Sequence, residues 1–392
     1  MSQQPAVIHV PDADLQDLRE RLQRTRWPTR WPGTGWETGT DAGELSRLVE
    51  YWASGYDWRH HEAGMNALPW HSCGIPGTDV RYLRYDAEHP GALPVVLTHG
   101  WPSTVLELVA LAKRLAAPSR YGGRASDAFT VIVPALPGFP FTPQRPALPP
   151  DLPTHELWHR LMHDELGFDL YGAHGGDLGA GVTSLLAQTH PEALVGIHLL
   201  AVAAPVELDA AGITAEEQNY LDEVATWTAQ EGGYQHQQAT RPVTLAYGLA
   251  DSPAGLLAWL VEKYRAWSDC DGQLSRRFTD DFVVTQASLY WFTNTISTSF
   301  RPYYEHADGM RERVTRVHVP TALAVFPRDL TQPPRSWAER TYNLTRYTRM
   351  SRGGHFAAHE EPALLAADIR EFFSTTTPLG TRREQRPGRR GR

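Results

Sequence analysis

Short apolar runs alternate with helix-like stretches along most of the chain. Five runs have the length and composition of buried strands: "LPVVLTHG", "FTVIVPALPG", "FDLYGAH", "LVGIHLLA" and "VPTALAVFP". A sixth segment, "DVRYLRYD", alternates apolar and polar residues like a strand. Between the runs, stretches such as "STVLELVALAKRLAAP" and "ELWHRLMHDELG" place apolar residues at helical spacing. This alternation predicts βαβ units around a mostly parallel sheet.

Two regions and the C-terminal end depart from this pattern. Residues 1–78 are rich in Arg, Trp and Pro, which is typical of short helices with irregular connections. Residues 206–300 contain helical patterns only, and the C-terminal end repeats Arg without apolar periodicity. This order predicts an α/β-hydrolase fold with a helical lid over the carboxyl ends of the strands. The expected division is an N-terminal helical region at 1–78, core at 79–205, lid at 206–300, core again at 301–375 and a disordered tail at 376–392.

Composition narrows the classes of protein that fit this pattern. The 392 residues carry a net charge of −8, which argues against nucleic-acid binding. Cys73 and Cys270 are the only cysteines, so neither a disulfide framework nor a Cys-rich metal site is expected. The start lacks a signal-peptide pattern, and no apolar stretch reaches the length of a membrane span. We therefore expect a cytoplasmic protein without membrane contact, and both a monomer and a homodimer stay open.

The segment "HGGDLGAG" has the spacing of a nucleophile elbow, G-x-S-x-G, with Asp177 where the serine would stand. A strand-like run precedes it and a helical pattern follows it, as the elbow requires. Asp is also a good helix N-cap. The segment alone therefore allows two roles for Asp177, a nucleophile or a helix cap.

Other parts of the chain supply the partners that an elbow nucleophile needs. "SRGGHF" places His355 before the closing helix as the base, and "AVFPRDL" places Asp329 after a strand as the orienting acid. The backbone N–H groups of Trp101 and Leu178 would form the oxyanion hole. The order Asp177, Asp329, His355 is that of the fold. His359, one helical turn beyond His355, is the rival base.

A carboxylate nucleophile changes the chemistry that the elbow can perform. A serine that attacked an epoxide or alkyl carbon would form an ether, which water does not easily cleave. A carboxylate forms an ester instead, and water activated by His355 can attack its carbonyl. Asp177 therefore favours substrates that are attacked at saturated carbon.

The motifs "HGWP", "LPGF", "GGDLG", "FPRD" and "GGHFAAHEEP", in this order, resemble those of the microsomal-type epoxide hydrolases, and the resemblance extends to about residue 375. It implies a cofactor-independent and metal-free hydrolase whose partners are a small-molecule epoxide and water. It also implies that Asp177, His355 and Asp329 form the triad.

The same resemblance implies two lid tyrosines that donate to the epoxide oxygen, and these match Tyr234 and Tyr303. Tyr304 is a neighbouring alternative to Tyr303. It further implies a cis peptide bond between Trp101 and Pro102.

The chain departs from the family at two points. Leu178 stands where members often carry Trp, and the membrane anchor of mammalian members has no counterpart here. The alternatives are a haloalkane dehalogenase with the same nucleophile and, from another class, a non-catalytic binding protein of this fold. The expected substrate is a bulky or aryl epoxide. The enzyme would act in detoxification or in natural-product biosynthesis, such as that of enediynes.

Overall fold

The structure is a computed structural model, and it describes residues 7–33, 35–75, 78–143, 152–208 and 212–376. The tail expected at 376–392 lies outside the described residues except for its first residue.

A mostly parallel sheet forms the centre of the molecule. Its eight described strands are β1 Trp70–Ile75, β2 Thr78–Tyr85, β3 Pro94–Thr98, β4 Thr130–Pro134, β5 Tyr171–Gly175, β6 Leu194–Leu199, β7 Val317–Val325 and β8 Tyr342–Arg349. Their order is β1-β2-β4-β3-β5-β6-β7-β8. β2 is antiparallel to both of its neighbours, and the remaining pairs are parallel. The central strands β3, β5 and β6 are buried along their whole length, as strands covered on both faces must be.

Helices cover the sheet and build the regions around it. Those of the described residues are α1 Asp12–Gln23, α2 Ala42–Glu50, α3 Trp58–Asn66, α4 Val109–Ala116, α5 Thr154–His159, α6 Leu178–Thr189, α7 Ala215–Glu231, α8 Gly233–Thr240, α9 Pro242–Asp251, α10 Pro253–Ala266, α11 Asp280–Thr293, α12 Ile296–Ser299, α13 Arg301–Ala307, α14 Arg335–Glu339, α15 Ala357–Glu360 and α16 Pro362–Thr376.

Two glycines of β5 show how the helices lie on opposite faces of the sheet. A Cβ on Gly172 would meet the Phe373 ring of α16 at 2.6 Å, and one on Gly175 would meet Thr183 Oγ1 of α6 at 2.6 Å. Residues three apart in a strand point to opposite faces. The sheet is therefore sandwiched between α16, with α4 beside it, and α6, with α5 beside it.

The helices α7 to α13 lie between β6 and β7 in the chain and form the lid. The N-terminal helices α1 to α3 contact this lid. Thr40 Oγ1 donates to Ala258 O of α10 at 2.7 Å, and Arg47 of α2 pairs with Asp280 of α11 at 2.6 Å. The ring of Trp58 lies 4.8 Å from that of Phe292.

The predicted α/β-hydrolase architecture is confirmed, but the two edge strands of the sheet were not predicted. β1, "WHSCGI", fell within the region expected to be helical, and β8, "YNLTRYTR", was not predicted. Edge strands pair on one side only, so they lack the apolar runs of central strands. The lid helices also continue past residue 300, to Ala307, before β7 begins at Val317.

Candidate active site

Asp177 sits at the tight turn between β5 and α6. Its φ of 49° and ψ of −127° are unfavourable for a residue with a Cβ, as expected of a nucleophile elbow. The side chain makes no capping hydrogen bond to α6. The geometry therefore favours the elbow over the helix cap that the sequence left open.

The glycines around Asp177 are required by close backbone contacts. A Cβ on Gly175 would lie 2.1 Å from Gly179 O, and one on Gly179 would lie 2.2 Å from Thr98 O. A Cβ on Gly100 would lie 2.4 Å from Oδ1 of Asp177. Only glycine fits at these positions, which explains the G-x-D-x-G spacing physically.

Backbone donors face the Asp177 carboxylate. Trp101 N donates to Oδ1 at 2.8 Å, and the Leu178 N–H also interacts with the carboxyl and favours its charged form. The Trp101–Pro102 peptide bond is cis, so that prediction is confirmed. Two lid tyrosines hold the loop, because Tyr264 Oη donates to Pro102 O at 2.8 Å and Tyr290 Oη donates to Ser103 O at 3.1 Å.

His355 lies between the two aspartates. Its Nε2 is 3.6 Å from Asp177 Oδ2, and its Nδ1 is 2.7 Å from Asp329 Oδ1. A single β-bridge between Arg328 and Gly354 aligns the loops that carry Asp329 and His355. The three residues are thus in contact in the order that a nucleophile, base and orienting acid need.

The environment shifts the pKa values of the nucleophile and the base. Burial raises the pKa of Asp177, and the neighbouring His355 and the two N–H donors partly offset this effect. Burial alone would lower the pKa of His355, but the carboxylates of Asp329 and Asp177 outweigh it and raise that pKa to about 9. The charge of the Asp177 carboxylate and the proton on His355 thus favour each other.

His359, the rival base, points away from this group. Its Nε2 lies 3.2 Å from Arg277 O, and its ring packs against Phe278 and Phe282 at 5.1 and 4.0 Å between centroids. These contacts give His359 a structural environment beneath the lid.

The lid brings Tyr234 of α8 and Tyr303 of α13 together above Trp101. The two phenol rings are 6.1 Å apart, and each lies within about 6 Å of the Trp101 ring. Burial, followed by the charge of Asp177, raises the pKa of both phenols. Tyr303 is buried whereas Tyr304 is half-buried, so the structure favours Tyr303 over its neighbour.

Two charged residues beside this site were not predicted from the sequence. Glu107 lines the same cavity as Asp177 and His355. Lys263 Nζ lies 5.0 Å from the centre of the Tyr234 ring and 5.5 Å from that of Trp267. Each has a sequence signal: Glu107 and Lys263 occupy apolar-face positions of helical patterns, where charge is unusual.

Among the described residues, no group of three or more His, Cys, Asp or Glu side chains is arranged to hold a metal ion. Within the same ranges, no helix combines the length and apolarity needed to cross a bilayer.

Comparisons with known proteins identify the family of this chain. The family model described as the epoxide hydrolase N terminus matches residues 3–108. A protein of Stigmatella aurantiaca (strain DW4/3-1), whose name places it with the epoxide hydrolases, is 40% identical over 379 residues, which cover 94% of this chain and 84% of that protein. Epoxide hydrolase 1 of Sus scrofa is 31% identical over 402 residues, covering 94% and 88%.

The fold has a close match among solved structures. The crystal structure of juvenile hormone epoxide hydrolase from the silkworm Bombyx mori superposes with a TM-score of 0.83 at 28% identity, covering 94% of this chain and 93% of that one.

Proposed function

The chain belongs to the epoxide hydrolase family of the α/β-hydrolase fold and is a hydrolase that acts on epoxides; we propose that it does so through a covalent ester on Asp177. The observation that carries this mechanism is the contact set of Asp177. Its Oδ1 accepts from Trp101 N, and its Oδ2 lies 3.6 Å from His355 Nε2.

In the first step, an oxygen of the Asp177 carboxylate attacks one epoxide carbon. The carbon–oxygen bond of the ring breaks, and the ring oxygen becomes alkoxide-like. Tyr234 and Tyr303, side by side in the lid, donate hydrogen bonds to that oxygen, and one of them supplies its proton. The product is a hydroxyalkyl ester of Asp177.

In the second step, water attacks the carbonyl carbon of that ester, and His355 Nε2 accepts the proton. The negative charge on the former carboxyl oxygen is stabilised by the N–H groups of Trp101 and Leu178. The intermediate then collapses by breaking the bond between the former carbonyl carbon and the alkyl oxygen. That oxygen takes the proton of the added hydroxyl, so the diol leaves and Asp177 is again a carboxylate. Asp329 keeps the His355 ring oriented and stabilises its positive charge.

The first step also prepares the base for the second. The negative charge of Asp177 helps to hold the proton on His355. Esterification removes that charge, so the pKa of His355 falls. The imidazolium proton then passes through solvent to the tyrosinate left by the first step, and Nε2 becomes free to accept a proton from water. The order of the two steps thus follows from the electrostatics of the pair.

The cluster of aromatic rings around Trp101 supports a bulky or aryl epoxide as the substrate. Trp101 stacks on Tyr234 with ring centroids 5.5 Å apart, and Trp267 and Phe300 lie within about 6 Å of Trp101. Flat aromatic substrates gain from such surroundings.

A single-turnover reaction in ¹⁸O-labelled water tests the mechanism, with styrene oxide as the probe and enzyme in excess. The first diol should contain oxygen from the protein, because the hydroxyl comes from Asp177. Label in the diol of the first turnover would refute the covalent route. Asp177→Asn should form no diol, whereas Asp79→Asn, on strand β2, should react like the wild type.

A further inference from the structure

A small cavity lies on the core side of the triad. The volume of this cavity is about 20 Å³. Its lining includes Asp177, His355, Ser103 and Glu107, and every lining residue comes from the core rather than from the lid helices. A space of this size with several polar groups accommodates one water molecule.

Glu107 contributes a carboxyl group to this cavity. It belongs to the 3₁₀ turn Val105–Leu108, which starts immediately after the oxyanion loop, and only 8% of its surface is exposed. Burial raises the pKa of this carboxyl to about 7, while the Ser103 hydroxyl and the charge of His355 favour its ionised form. Burying a carboxyl group reduces the stability of the fold. Neither ester formation nor ester hydrolysis, as described above, uses Glu107.

The geometry points to Glu107 as the positioning residue of the hydrolytic water. This inference rests on the ester mechanism proposed above. The Glu107 carboxylate accepts a hydrogen bond from one O–H of the water, and His355 Nε2 accepts the proton of the other O–H. The water oxygen then forms its bond to the Asp177 carbonyl carbon, and the electron pair of the carbonyl moves to its oxygen. Glu107 keeps its own charge throughout.

Several titratable groups face Glu107 from the core and from the lid. Asp177 and His355 share the cavity, and Glu360 acts from α15. The phenols of Tyr264 and Tyr290 face it from the lid, and burial raises both of their pKa values.

Two histidines also line the cavity. Burial lowers the pKa of His99 to about 4 and lowers that of His174 well below its usual value. Burial therefore favours the neutral form of both rings. Glu360 accepts from the backbone N–H groups of Asp269, Gly354 and Phe356 rather than lining the cavity.

The test is Glu107→Gln, assayed by stopped flow with styrene oxide so that ester formation and ester hydrolysis are resolved. We expect ester formation within about twofold of the wild type and hydrolysis about 10- to 100-fold slower, because a neutral amide orients water less well. Glu62→Gln is the matched control. Glu62 is also buried, and it accepts from Val10 N and Trp58 Nε1 in the N-terminal region. It should leave the ratio of the two rates unchanged.

The pH profile separates positioning from a structural role. At low pH both His355 and Glu107 must lose a proton before the ester is hydrolysed. The slope of log rate against pH should therefore fall by one in Glu107→Gln. An unchanged slope, or equal slowing of both steps, would overturn the inference.

Two further outcomes keep the tests distinct. If Glu107→Gln does not fold, the pH profile of ester hydrolysis in the wild type still tests the inference. A profile that shows the ionisation of His355 alone would overturn it. If the wild type forms no ester at all, the proposed mechanism fails instead.

Discussion

Neutralising Asp177 should release the proton that His355 holds. Asp177→Asn mimics the uncharged ester with little change in shape. Two unit charges 3.6 Å apart interact by about 4–5 kcal/mol at an effective dielectric constant of about 20. Removing this attraction should raise the acid dissociation constant of the imidazolium by roughly 10³, since each factor of ten corresponds to about 1.4 kcal/mol.

Heteronuclear NMR of ¹⁵N-labelled histidine measures the pKa of His355 directly. The chain has 17 histidines, so the His355 signals are identified as those missing from His355→Gln. In the wild type, His355 should lose its proton near pH 9, which is its raised pKa. In Asp177→Asn the transition should move to clearly lower pH. It should move further in Asp329→Asn, because Asp329 contributes more to the raised pKa.

The same titration has a consequence for stability with a definite sign. Because the folded state holds the proton more tightly, His355 stabilises the fold fully below about pH 6.5, its ordinary pKa. That contribution is lost as the pH rises through about 9. A transition at the same pH in the wild type and in Asp177→Asn would refute the electrostatic coupling of the two steps.

Three further changes test separate parts of the site. Tyr303→Phe should slow ester formation about 10- to 1000-fold, whereas Tyr304→Phe should not; stopped-flow rates decide, and the reverse result would move the donor to Tyr304. His355→Gln should accumulate the ester, visible by intact mass spectrometry as the added mass of styrene oxide, and His359→Gln should not; an adduct in the latter alone would make His359 the base. Gly179→Ala should lower the melting temperature and abolish turnover, because its Cβ would lie 2.2 Å from a backbone oxygen; a stable, active variant would contradict the steric account of the elbow.

Much of the centre of the molecule could be predicted because its physical demands appear in the sequence. Strands buried on both faces need apolar runs, and the elbow needs glycine at positions 175 and 179. These demands are local. The contact of Asp177, Asp329 and His355 was predictable for a related reason, since the fold fixes the order of these residues in the chain.

The parts that were missed depend on contacts distant in sequence. β8 has the polar composition of an edge strand, and only its pairing with β7 defines it. Glu107 and Lys263 look like exceptions on apolar helix faces, and only the folded chain shows what each contacts. The cavity shared by Glu107, Asp177 and His355 is assembled from four separate segments of the chain, so no single motif predicts it.

The contacts of the N-terminal helices bear on how this protein can be recombined with its relatives. The N-terminal region contacts the lid through Arg47 of α2, Trp58 of α3 and Thr40 between α1 and α2, and the partners of these residues lie more than 200 positions away in the chain. The lid is therefore not an interchangeable module. A chimaera that takes its lid from another member of the family should fold well only if it takes the matching N-terminal helices as well, because the two segments form one surface and must vary together.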